Sequence, residues 1–165
     1  MRCVTRPSGQ LEIMENRCMR LKSLALATVV GCLCLTGASA QEEPQAVRQN
    51  LMKGIGQSMG ALGAIAKGEK PYDAAVVQTA LETISTNSKA FPDQFPAGTE
   101  TGLESEAAPA IWENMADFRA KSDKLANEAD TLLAAMPADQ AAVGGAMKTL
   151  GSTCGDCHET YRLKR

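Results

Sequence analysis

Apolar residues in this chain recur every three or four positions, with polar residues between them. Met52, Ile55, Met59, Leu62 and Ala66 fall on one helical face. Proline is welcome in a first turn, so a first helix is predicted from Pro44 to about Lys67. Gly54, Gly56, Gly60 and Gly63 weaken that helix in isolation, but they let another backbone or a flat cofactor come close. "KGEKPYD" breaks the pattern, and Asp73 is placed to cap a second helix, from about Ala74 to Ala90, with Val77, Leu81, Ile84 and Ser88 along one side. The stretch "FPDQFPAGTETGLESEAAP" is punctuated by Pro92, Pro96, Gly98 and Gly102 and reads as a long loop. A third helix is predicted to open near Pro109, to carry Ile111, Met115, Phe118, Leu125 and Leu132, and to end at Met136-Pro137. A fourth begins around Asp139 and runs through Val143, Met147 and Leu150 into the C-terminal motif. No segment alternates convincingly with a period of two. The expectation is an all-α fold, a four-helix bundle with one longer loop.

The N-terminal region follows different rules. Arg17, Arg20 and Lys22 precede the apolar run "SLALATVVGCLCLTG", which ends in Ala38-Ser39-Ala40. A basic region, an apolar run and a small-residue site describe a secretory signal peptide. The run is shorter than the ~20 apolar residues a membrane span takes. Val29-Val30-Gly31-Cys32 loosely resembles a lipoprotein processing site, but the small-residue site is better formed. Residues 1–40 are therefore expected to be a leader, with translation starting at Met1, Met14 or Met19. Residues 41–165 form one mature domain of 125 residues, expected in the periplasm.

The mature part carries 12 Lys/Arg against 17 Asp/Glu. No basic cluster suggests a nucleic acid or an anionic membrane as partner, and the acidic excess suits a basic redox protein. Of six cysteines, Cys3, Cys18, Cys32 and Cys34 go with the leader, so Cys154 and Cys157 remain. They stand in "TCGDCHETYRLKR", immediately before the sole histidine, His158. Structural zinc takes about four protein ligands, more than these residues supply. A thioredoxin-like dithiol belongs beside a βαβ unit, which is not predicted here. A disulfide suits an exported chain but gives His158 no role. Covalent haem attachment uses all three residues: two thioethers fix the porphyrin to one helical turn, and the adjacent imidazole ligates its iron. Tyr161 and Arg162 follow on neighbouring parts of the same helix, where Arg162 is placed to pair with a haem propionate or to shield the imidazole. Trp112 and Phe118 read as core or pocket wall.

Several stretches resemble one family in order: "VRQNLMK" in the first helix, "KGEKPYDAA" at the first turn, "FPAGTETG" in the loop, "PAIWENMADF" opening the third helix, and "CGDCHETYR". On these the chain resembles the class II c-type cytochromes, cytochrome c′ and its low-spin relatives, across the whole mature region. The resemblance implies an antiparallel bundle with one haem c per chain, thioethers at Cys154 and Cys157, and His158 as proximal ligand. It also implies Arg48 near the haem propionates, a counterpart role for Arg162, and pairing into homodimers through the first two helices.

The sixth iron ligand decides the function. With one histidine, a single chain cannot give bis-histidine ligation, and Met52, Met59, Met115, Met136 and Met147 are the methionine candidates. Spacing alone reads each as packing. The resemblance singles out Met52: cytochrome c′ itself places a non-ligating residue four positions after the first-helix arginine, whereas low-spin members place a methionine there. His/Met ligation implies an electron carrier without enzymatic chemistry. If Met52 only packs, the resemblance implies a high-spin haem binding small gases such as nitric oxide. A third reading drops the haem and leaves a disulfide-closed interaction protein.

Overall fold

The computed structural model describes residues 42–164. The leader predicted over 1–40 lies outside them. Five helices account for most of the described chain: α1 (Pro44–Ala66), α2 (Ala74–Ala90), the short α3 (Ala110–Glu113), α4 (Met115–Ala134) and α5 (Gln140–Tyr161). The four long helices pack in a ring, α1 against α2 and α5, and α4 against α2 and α5. This is the expected four-helix bundle.

Local chemistry sets the helix ends. α1 closes in a Schellman motif: Gly68, at φ +76°, donates to the Ile65 carbonyl, and Glu69 donates to that of Ala64. α2 opens under Asp73, whose Oδ1 accepts from the Ala75 and Val76 amides at 2.9 and 3.3 Å. Asp139 caps α5 in the same way through Ala142 N. Asn87 on α2 donates to the Leu51 carbonyl of α1 at 3.0 Å. A Cβ at Gly54 would stand 2.6 Å from that Asn87 amide, so this glycine is what admits the contact.

The third predicted helix needs correction. It breaks at Asn114 (φ −138°, ψ 55°), so that α3 and α4 are separate segments. Asparagine leaves the helical conformation at little cost. α4 then stops at Ala134, before the predicted Met136, because a residue preceding Pro137 is disfavoured in the α region.

The core has two parts. An aliphatic cluster includes Ile55, Leu62, Ile65, Val77, Leu81, Ile84, Val143 and Leu150. An aromatic cluster joins Phe95, Ile111, Phe118 and Tyr161, with Phe91 and Trp112 against it. Phe118 is its hub, with ring centroids 4.9 Å from Phe95, 5.2 Å from Tyr161 and 5.8 Å from Phe91. It is 1 % exposed. Phe118→Ala is therefore expected to cost about 3–5 kcal/mol, read as a lowered denaturant midpoint at unchanged slope.

Candidate functional site

A cavity of about 820 Å³ opens where the two core clusters meet, lined by Ile55 and Leu125 from one and by Phe95, Ile111, Phe118 and Tyr161 from the other. Its size falls in the range of about 300–1,000 Å³ typical of a cofactor site, and its wall is mainly apolar. Cys154, Cys157 and His158 line it from α5, and Arg48, Met52 and Met59 line it from α1. Arg162 reaches it from just beyond α5, since that helix ends at Tyr161 and Arg162 is extended (φ −113°, ψ 133°). Of the five candidate methionines, Met115, Met136 and Met147 lie elsewhere, in the packing around the two clusters.

The motif spans both halves of the core. Cys154 packs against the aliphatic cluster and Cys157 against the aromatic one. Both are free thiols. Burial raises the pKa of each, with Glu128 adding to the effect at Cys154, and Cys157 is pushed up to about 11 despite Lys121. The thiols are therefore held protonated. Burial chiefly, then Arg162, lowers the His158 pKa against the pull of Glu106. This favours the neutral imidazole that metal ligation requires.

Three side-chain pairs register α5 on the antiparallel α4. Thr153 Oγ1 donates to Glu128 Oε2 at 2.7 Å, Lys121 Nζ to Asp156 Oδ2 at 2.6 Å, and Tyr161 OH to Asp117 Oδ2 at 2.6 Å. The Tyr161 phenol is pushed up to about 12, by burial first and by Asp117 second. Beyond the helix, Arg162 Nε donates to Glu106 Oε2 at 2.6 Å. Leu163 N bonds the Glu106 carbonyl at 2.8 Å, and Ala108 N that of Tyr161 at 3.0 Å. The sequence reading missed these contacts. Asp117, Lys121 and Glu128 recur at helical spacing on α4, but their partners lie 25 to 44 residues away.

Arg48 is 4 % exposed. Its Nη1 donates to Gln94 O (3.4 Å) and Thr99 Oγ1 (3.2 Å), and its Nη2 to Thr99 O (2.7 Å) and Ser105 Oγ (2.8 Å). The guanidinium also stands 4.8 Å from the Phe95 ring centroid and 5.8 Å from that of Trp112. Desolvation lowers its pKa, partly offset by Glu100.

A covalent haem fits this chemistry. Two thiols and an imidazole line a cavity bounded by apolar side chains, and at Gly56, also on its wall, a side chain would meet open space. Among the described residues no helix is long and apolar enough to cross a membrane.

Comparison with known proteins gives the same picture. A sequence profile of the cytochrome c′ family matches residues 43–162. Cytochrome c-556 of Agrobacterium fabrum is 60 % identical over 148 residues, covering 90 % of this chain and 99 % of the relative. The structure of cytochrome c′ from Rhodopseudomonas palustris superposes with a TM-score of 0.71 at 34 % identity, over 76 % of this chain and 99 % of that one. An NMR-validated structural model of oxidised R. palustris cytochrome c556 gives 0.68 at 35 % identity, again over 76 % and 99 %.

Proposed function

Since the chain belongs to the cytochrome c′ family, with covalently attached haem c as its cofactor, we propose that it is a periplasmic electron carrier whose iron is held between His158 and Met52. The cofactor supplies one-electron exchange at its iron. Cys154, packed on the aliphatic cluster, and Cys157, packed on the aromatic one, would hold the porphyrin through thioethers. His158 presents a neutral imidazole, and the α4–α5 pairs at Thr153, Asp156 and Tyr161 fix the turn that carries it. Met52 would supply a thioether ligand, which would raise the potential and keep small ligands from the iron. The aromatic and aliphatic walls make the rest of the site mainly apolar. The observation that carries this reading is that a single cavity is lined by Met52 from α1 and by both cysteines and His158 from α5.

The partner implied is a redox protein, and pairing of two chains through α1 and α2 is the oligomeric arrangement we propose with it. Export rests on the leader pattern in residues 1–40.

One observation favours a second reading. Met52 also packs against the aliphatic core, as a purely structural methionine would. The iron would then keep an open face and bind small uncharged gases. The absorption spectrum, ferric and ferrous, with and without carbon monoxide, separates the two. A low-spin spectrum unmoved by the gas is the result expected of the carrier. A high-spin spectrum that shifts promptly with it would establish the gas-binding reading instead.

A further inference from the structure

The loop between α2 and α3 crosses the rim of the cavity in an unusual conformation. Gly102, Leu103 and Glu104 are consecutive left-handed residues, at φ 102°, 47° and 52°. For a leucine and a glutamate this conformation is strained, so the surroundings must hold them there. Both are exposed, yet both line the cavity, which places them at its edge.

One face of α1 holds them. Gln45, Arg48 and Gln49 follow the helical spacing that aligns side chains. Gln45 Nε2 donates to the Thr101 carbonyl at 2.9 Å, and Gln49 Nε2 to the Leu103 carbonyl at 2.6 Å. Between them Arg48 reaches Gln94, Thr99 and Ser105. Those four bonds engage both terminal nitrogens of the guanidinium.

We propose that Arg48, with Gln45 and Gln49, is a positioning residue that latches residues 99–106 across the rim of the haem cavity, and that this latch limits how far water reaches the bound group. The latch stands on the geometry of the chain alone; its effect on potential rests on the carrier reading.

The test uses the haem-loaded protein and three forms: wild type, Gln49→Ala and Arg48→Lys. Gln49 is exposed and its truncation leaves the core intact, so this variant keeps the test open if Arg48→Lys folds poorly. Glutamyl endopeptidase reports loop opening through cleavage after Glu100, Glu104 or Glu106. Cleavage there is expected to be about threefold to tenfold faster in Gln49→Ala, and about tenfold or more faster in Arg48→Lys, which keeps the charge and loses the fork. Loop cleavage at the wild-type rate in both variants would overturn the latch and leave the carrier reading untouched. Full protection by lysine alone would assign Arg48 a role as a charge and also overturn it. Gln49→Ala changes no charge, so its reduction potential reads water access. It is expected to fall, because water favours the more charged ferric state. Faster cleavage with an unmoved potential would retain the latch and refute its control of the site.

Discussion

Replacing Cys154 and Cys157 together with alanine is expected to abolish covalent haem: after extraction with acidified acetone, the pyridine haemochrome signal should leave the protein. Each single variant is expected to retain one thioether and one unsaturated vinyl group, which lengthens the conjugation and moves the haemochrome band to longer wavelength. The two are not equivalent. Cys154 packs on the aliphatic cluster and Cys157 on the aromatic one beside Tyr161 and Phe118. Each removal therefore frees a different side of the porphyrin. The double variant is also expected to unfold at lower denaturant, because a group bound only by the native state stabilises it by mass action and covalent linkage makes its local concentration high. Haem that survives extraction on the double variant would refute attachment at these cysteines.

Much of this site was legible from local signals. The Asp73 cap, the stop at Gly68 and the Cys-Gly-Asp-Cys-His motif each depend on residues within one or two turns, so sequence spacing carries them. What escaped was long-range. Nothing near Arg48 says that its guanidinium meets Thr99 and Ser105, 51 and 57 residues on. The left-handed conformation of Leu103 and Glu104 runs against their own preferences and arises from contacts with another helix. The break at Asn114 had a local cue in the residue type, but the apolar pattern runs through it and favoured one continuous helix. Propensity lost there to tertiary packing, which turns Ile111 and Trp112 toward Phe95 and Phe118.

Met52→Ala is the substitution expected to change function most without loss of fold. Met52 is half-buried on the cavity wall and packs against the aliphatic cluster, whose residues Leu62, Leu81 and Ile84 are each at most 1 % exposed. If Met52 is the ligand, it holds the iron low-spin and blocks exogenous molecules. Its loss is expected to give a high-spin ferrous spectrum, prompt carbon monoxide binding and a lower reduction potential, since thioether ligation raises that potential. Met59 lines the same cavity two turns further along α1 and is the internal control. Met59→Ala is expected to leave the spin state alone and to cost only packing, about 2–5 kcal/mol at most for a methionine truncation. If Met59→Ala changes the spectrum and Met52→Ala does not, the sixth ligand lies two turns further along the helix and the carrier role survives with a different residue. If neither does, and the wild-type iron already takes up carbon monoxide promptly, both methionines are packing and the cavity is a gas site. Packing cost and spin state thus separate a methionine that fills space from one that binds iron.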